Sequence, residues 1–343
     1  MNKSFTQASR IQSISIQAHQ GVALITVLLI VALAAVMATE MTARLQIQLA
    51  RSTNIQFNQQ AYWYAMGAES FAKRVLIADN QADQEVTHLN QQWAQGYNSF
   101  PVPQGEIAGG LTDMHSCLNL NALKDDEASS SSPSTQELAA REAFERLVVK
   151  LEVEGVGEFE AEYLGDALTD WLDSDDAIAS SGGAEDNDYA AKEYPYFAAN
   201  SLLARVSELR AIEHFTPAII EALTPYVCVI PGVDSHQINI NTITADNIVL
   251  LEALLDISNS EAQSLIDARG ESGFENIDEL YGLAEFTKLK ISDEQKQQFV
   301  VDSEYFTLQA NSQFNNSYFN LISVMQVIDN SKVNVISRTI GRK

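Results

Sequence analysis

The chain has 343 residues, 46 acidic side chains against 21 basic ones, and a formal net charge of −25 at pH 7. A surface that acidic repels nucleic acid and anionic headgroups and suits cations and basic partners, although it also serves simply to keep a domain soluble. The 46% hydrophobic content excludes a disordered chain, and the length allows two globular bodies besides any anchoring helix.

The first twenty residues are polar and hold Lys3 and Arg10 but no acid. From Gly21 to Ala38 the text is apolar, and no charge falls between Arg10 and Glu40. That run is about as long as a helix needs to cross a bilayer core, ~20 residues. No proline follows and no glycine until Gly67. Phe57, Ala61, Tyr64, Ala65, Ala68, Ala72, Val75 and Leu76 recur at three- and four-residue steps, which puts them on one helical face. Glu69 and Lys73 are expected to pair on the other side. The pattern predicts one continuous helix from Val22 to Leu76, roughly 80 Å long, first in lipid and then packed on a folded body. Basic residues before the apolar run, and none after it until Arg44, favour a cytoplasmic N-terminus. The body then lies across the membrane, in the periplasm of a two-membrane cell. A secretory signal peptide fits poorly, because no small-x-small site closes the run and the helix continues.

A polar leader ending in Gly21, an apolar helix and an amphipathic extension resemble a type IV pilin or pseudopilin. The segments Gly21-Val22-Ala23-Leu24-Ile25-Thr26-Val27-Leu28 and Gln60-Ala61-Tyr62-Trp63-Tyr64-Ala65-Met66-Gly67-Ala68-Glu69 resemble the general secretion pathway protein K family, minor pseudopilins of type II secretion. The resemblance implies cleavage by prepilin peptidase between Gly21 and Val22, and methylation. Pilins and major pseudopilins carry Glu at the fifth mature position. Here it is Thr26, and the K-type family is the one that lacks that Glu.

Residues 77–110, with Gly96, Pro101, Pro103, Gly105, Gly109 and Gly110, read as loop and turns. A strand is expected near Leu111 to Leu120. The stretch Ser129-Ser130-Ser131-Ser132-Pro133-Ser134-Thr135 is a polar excursion, with Ser134 or Thr135 placed to cap the next helix. Helices are predicted around Leu138 to Leu151, Tyr163 to Trp171, Ser201 to Glu213, Pro217 to Leu223, and through 245–299. Pro225 to Gly232 reads as a short strand between turns. Ile238-Asn239-Ile240-Asn241-Thr242-Ile243-Thr244-Ala245 echoes Cys117-Leu118-Asn119-Leu120-Asn121-Ala122-Leu123, a weak internal repeat. Three strands follow, Tyr305 to Ala310, Tyr318 to Val327 and Val333 to Ile340, with turns at Asn315-Asn316 and Asp329-Asn330. The expected fold is α+β: a pilin-like long N-terminal helix packed on an antiparallel sheet, with a large, mostly helical inserted domain. The expected divisions are a leader over 1–21, a membrane half-helix over 22–41, a pilin-like core over 42–121 and 301–343, and the helical insert over 122–300. Asp170-Trp171, Gly182-Gly183-Ala184-Glu185-Asp186, Ser207-Glu208-Leu209-Arg210 and Ile240-Asn241-Thr242 extend the family resemblance along most of the chain.

Cys117 and Cys228 are the only cysteines. In an exported protein a pair suggests one disulfide, which would staple the insert's base to the core; two buried thiols are the alternative.

The acidic loop Asp173, Asp175, Asp176, Glu185, Asp186 and Asp188 supplies enough oxygens for a hard cation, with Gly182-Gly183 letting the chain fold back. It is not an EF-hand, since Ile178 stands where that pattern needs glycine. Spacing alone equally describes a solvated loop; the family resemblance implies a structural calcium site.

Residues 238–273 resemble a helix-hairpin-helix module. Its hairpin, Leu254-Leu255-Asp256-Ile257-Ser258, lacks glycine and lies among Asp246, Glu252, Asp256, Glu261 and Asp267, opposed only by Arg269. Phosphate would be repelled, so nucleic acid is not an expected partner. His115, His214 and His236 are scattered, and no Gly-x-Ser-x-Gly or P-loop appears. No enzyme is expected.

The resemblance implies a minor pseudopilin at the pseudopilus tip that helps initiate assembly for export of folded proteins. It would be held in the inner membrane with a periplasmic body. Its implied partners are I- and J-type minor pseudopilins, prepilin peptidase and the inner-membrane secretion platform. A minor pilin at the tip of a type IV pilus is the alternative. A membrane-anchored calcium-dependent periplasmic hydrolase is a more distant one.

Overall fold

A computed structural model describes residues 20–83, 85–125, 135–178, 180–289 and 291–341. Residues 1–19 of the leader expected over 1–21, and Ser129 to Ser134 of the serine-rich excursion, lie outside the described residues. By its internal contacts the chain divides into two units, 1–59 and 60–343.

In the first unit the described residues are all helix, the opening part of α1 (Gln20–Ala82). Every residue from Gly21 to Gln56 is exposed. A helix satisfies its own backbone polar groups, so an apolar one suits lipid. This is the one helix among the described residues long and apolar enough to cross a membrane.

The second unit begins within α1, whose buried stripe is Ala61, Ala65, Glu69, Ala72, Leu76 and Asp79. Two of the six are carboxylates. Asp79 accepts from the Trp93 amide (2.8 Å) and the Gln92 amide (3.2 Å), which holds a tight turn and lays the Trp93 ring edge-on to Phe306. The expectation that Glu69 faces outward fails. It is 2% exposed and points at the sheet, because a basic residue far along the chain reaches it there.

The elements then run β1 (Asn98–Val102), β2 (Gly105–Asp113), β3 (Leu118–Asn119), α2 (Thr135–Lys150), α3 (Glu158–Leu172), α4 (Asp186–Ala190), α5 (Pro217–Leu223), β4 (Val227–Cys228) and β5 (Ile238–Asn239). After them come α6 (Ile248–Leu255), α7 (Asn259–Ala268), α8 (Ile277–Gly282), α9 (Ala284–Lys288), α10 (Asp293–Gln297), β6 (Phe299–Val300), β7 (Tyr305–Phe314), β8 (Ser317–Asp329) and β9 (Lys332–Ile340).

Strands β1, β2, β7, β8 and β9, in that order, form one antiparallel sheet under α1. The hairpin β1–β2 occupies a stretch whose glycines and prolines predict loop. Its glycines mark close approach of backbones instead. A Cβ on Gly109 would lie 2.7 Å from the Gln309 carbonyl oxygen of β7. Pro101 is tolerated because β1 is an edge strand. The strand expected near Leu111 to Leu120 breaks at Asp113, where Met114–Ser116 form a 3-10 turn. The region around Ser201 to Glu213 forms a 3-10 segment, Val206–Ala211, rather than a longer helix.

The helical block lies between β2 and β7 with its own core, in which Phe144, Leu147, Leu164, Leu168, Leu250 and Leu254 are buried. The internal repeat is structural. β3 pairs in parallel with β4, and β5 pairs in parallel with β6. Asn119 accepts from the Asn121 amide just as Asn239 accepts from the Asn241 amide. Asn121 bonds the backbone of Leu203 in both directions, and Asn241 does the same to Phe274. Arg269 is turned inward, donating to the carbonyls of Ile240 (2.9 Å) and Ile243 (2.6 Å).

Two joints fix the block to the sheet. Asp113 of β2 accepts from Thr242 (2.5 Å), Ser303 (2.8 Å) and the His115 amide (2.9 Å). Cys117 and Cys228 are joined in a disulfide, Cα atoms 5.7 Å apart, packed with Met114, Ile230 and Val324.

Candidate functional site

Helix α3 buries Leu164, Leu168, Trp171 and Leu172; the same part of the helix carries Asp166 and Asp170, and Asp173 caps its C-terminal end, all three buried. Steps of four and three residues align those carboxylates along one face. Asp166 is paired with Arg141 and also accepts from the Gly182 amide (3.1 Å). Asp170 and Asp173 meet Glu185, which arrives from the far end of the acidic loop as the residue before α4.

The loop returns to α3 because two positions have no side chain. A Cβ on Gly182 would sit 2.5 Å from Tyr163 Cα, and one on Gly183 would strike the Asp170 carboxylate. Neither glycine needs a left-handed backbone; both need room. Tyr189 of α4 then stacks on Tyr196 and meets Trp171 edge-on, closing the loop over the helix end.

One ligand oxygen from each of Asp170, Asp173 and Glu185 lies within 4.8 Å of the others. Both oxygens of Glu185 are buried and take no hydrogen bond of normal geometry. Burial, then the like charges of Asp170 and Asp173, push the Glu185 carboxyl up to about 7. Burial, then Asp175, push Asp173 up to about 7. Buried carboxylates crowded together are costly unless a proton or a cation neutralises them. The donor set is all oxygen, and it fits a hard divalent cation.

The six loop residues expected from the sequence separate into two groups. Asp173 and Glu185 come together. Asp175 accepts from the Ala177 amide (2.7 Å), Asp176 from Asn200 (3.0 Å), Asp186 from the Ala198 amide (2.9 Å) and Asp188 from the Glu185 amide (3.1 Å). These four shape the loop. Sequence reasoning missed Asp170; its signal was the three-residue step to Asp173 at the end of a predicted helix.

Of the positions expected to matter in the first unit, Gly21 and Val22 lie in the first turn of α1. The Thr26 hydroxyl donates to the Ala23 carbonyl (2.9 Å) within the helix.

Two family models, both described as type II secretion system (T2SS), protein K, match residues 116–232 and 238–302. These ranges fall on the two halves of the helical block. The chain is similar to "Type II secretion system protein K" of Aeromonas hydrophila, 39% identical over 259 residues, covering 74% of this chain and 77% of that one. It is similar to the protein of the same name from Pectobacterium carotovorum subsp. carotovorum, 32% identical over 327 residues, covering 94% and 97%. Among solved structures it resembles a chain of the GspK-GspI-GspJ complex from the type 2 secretion system of enterotoxigenic Escherichia coli. The TM-score is 0.75 and the identity 30%, over 85% of this chain and 100% of that one.

Proposed function

The chain belongs to the type II secretion system protein K family and is a minor pseudopilin of type II secretion; from that premise we propose that it caps the periplasmic pseudopilus together with I- and J-type minor pseudopilins and helps initiate assembly. The observation that carries this is the likeness, over most of its length, to a chain solved with two other pseudopilins. Thr26 supports it. A carboxylate at that position would neutralise the N-terminal amine of a neighbouring subunit, and an unpaired charge among packed helices is expensive. Thr26 has no charge to give, and its hydroxyl is already bonded within its own helix. Such a helix is suited to end a stack rather than continue it. The bulk of the helical block, which would obstruct a subunit above it, supports the same placement.

The apolar helix serves in this reading as the single inner-membrane anchor, with residues 60–343 in the periplasm. Cleavage by prepilin peptidase, methylation and contact with the inner-membrane platform belong to the same proposal. Asp170, Asp173 and Glu185 would hold calcium, which supplies positive charge there and lets three buried carboxylates share one pocket. The role assigned to the chain is assembly rather than catalysis.

Co-purification of the full chain with its own I- and J-type pseudopilins, and counting of labelled copies per filament, tests this. One copy at an end is expected. Many copies along the shaft, or no association with either partner, would overturn it.

A further inference from the structure

Two of the three pocket carboxylates, Asp170 and Asp173, leave the same end of α3, and the helix sets their spacing. Glu185 arrives across a loop, so its position depends on what holds that loop. Gly182 lies three residues before Glu185, and Tyr189 lies four residues after it. Both are tied to one short turn elsewhere in the chain, Glu213-His214. The His214 ring nitrogen Nε2 lies 3.2 Å from the Gly182 carbonyl oxygen. A carbonyl only accepts, so Nε2 carries the proton. The Glu213 amide donates to the Tyr189 hydroxyl (3.3 Å). The Glu213 carboxylate pairs at 2.7 Å with Lys192, just beyond α4.

The turn has a strained backbone. His214 has a φ of +67°, in the left-handed region that a residue with a Cβ adopts only when its surroundings impose it. Ile212 before it and Phe215 after it are buried, the latter ring beside Phe144, so the chain is anchored on both sides. The two residues between those anchors turn outward to the loop. His214 is exposed, so burial of its ring does not account for the conformation. The ring instead faces Tyr163 of α3, with centroids 5.7 Å apart, and reaches the Gly182 carbonyl. Gly182 is therefore held from two sides. A Cβ there would lie 2.5 Å from Tyr163 Cα, and its carbonyl is bonded to His214. Three extended residues span at most about 10 Å, so a fixed Gly182 confines where the Glu185 carboxylate can arrive.

We propose that His214 is a positioning residue for the cation pocket: its Nε2–H holds the Gly182 carbonyl, which places Glu185 beside Asp170 and Asp173. The proposal rests on the reading that these three carboxylates hold calcium, and it adds the group that brings the third one to the other two. His214 is not itself a ligand through Nε2, because that nitrogen is protonated and committed to Gly182, and a hard cation takes oxygen.

The test is calcium titration calorimetry on the detergent-solubilised full chain, with the thermal midpoint in chelator measured alongside. His214→Gly keeps the left-handed turn, which glycine adopts freely, and removes the ring. It should weaken calcium binding about fivefold, the scale of one net hydrogen bond, while the midpoint in chelator does not fall. His214→Gln supplies an amide donor at a similar reach and should bind calcium within about twofold of the native chain. A merely structural role would give the opposite split, a lower midpoint in chelator with an unmoved dissociation constant. Native affinity in His214→Gly, or equal weakening in both variants, would overturn the assignment of His214 and leave the pocket standing. No calcium binding by the native chain would overturn both.

Discussion

Glu69 and Arg338 are joined by two hydrogen bonds, Nε to Oε2 at 2.7 Å and Nη2 to Oε1 at 2.9 Å, across 269 residues of sequence. Ser323 adds a third bond to the carboxylate at 2.9 Å, and Lys73 lies 3.6 Å away. The long helix is thereby fixed to the two last strands of the sheet by a forked ion pair at its buried face.

Removing one partner should be costly, because the other is left unpaired. Arg338→Ala is expected to destabilise by about 2 kcal/mol, less than a fully buried pair since the guanidinium is partly exposed. Glu69→Gln tests the pair from the other side by its pH dependence. Burial pushes the Glu69 carboxyl up, but the bonds from Arg338 and Ser323 outweigh it and hold it below its usual range. A carboxylate with a depressed folded value stabilises above its unfolded value, roughly pH 4.3, and loses that stabilisation as the pH falls through the folded one. The stability difference between the native chain and Glu69→Gln should therefore be full at pH 7 and shrink below about pH 4. A pH-independent difference in urea denaturation would contradict the assignment.

The disulfide closes a loop across 111 positions between the sheet and the helical block. In the chain-entropy account such a loop stabilises by up to ~4 kcal/mol. Cys117→Ala with Cys228→Ala should lower the denaturation midpoint accordingly, and reductant should reproduce the effect on the native chain and have none on the variant.

Calcium should raise the thermal midpoint of the native chain, by an amount equivalent to about 2.7 kcal/mol at a hundredfold excess over the dissociation constant. The discriminating variants are Asp170→Asn and Asp175→Asn. The first removes a pocket carboxylate and should abolish the calcium response. The second removes a charge outside the pocket while its amide oxygen can still accept from Ala177, and should leave most of it. Equal responses from the two would mean that a different set of oxygens holds the ion. Gly183→Ala should behave like Asp170→Asn, since its methyl would displace that carboxylate.

Mass spectrometry of the mature chain is expected to find Val22 at the N-terminus, and Gly21→Trp should leave the leader attached. Any other first residue would rule out this cleavage site.

Much of the site was visible in the residue order, but its membership was not. The acidic loop announced itself by composition, and Asp173 and Glu185 do come together. Asp175, Asp176, Asp186 and Asp188 look the same in sequence, and their roles differ because nearby donors claim them, backbone amides for Asp175, Asp186 and Asp188 and the Asn200 side chain for Asp176. Asp170 was hidden inside a helix, where a carboxylate usually reads as part of a solvated face. Glu69 was misassigned for the same reason. A charged residue in a helical pattern is placed outward unless its distant partner is known, and Arg338 lies 269 residues away.

The sequence by itself determined what depends on local pattern. The uninterrupted apolar run and the three- and four-residue steps after it dictate α1. Alternation and Asn-rich turns dictate the last three strands. The paired Asn motifs announce the repeat in the helical block. Only the tertiary structure decided what depends on contacts between distant segments. It paired the glycine-rich hairpin with β7, because close backbone approach and flexible loops call for the same residue. It chose three carboxylates from an acidic crowd, because burial and not composition separates ligand candidates from acceptors.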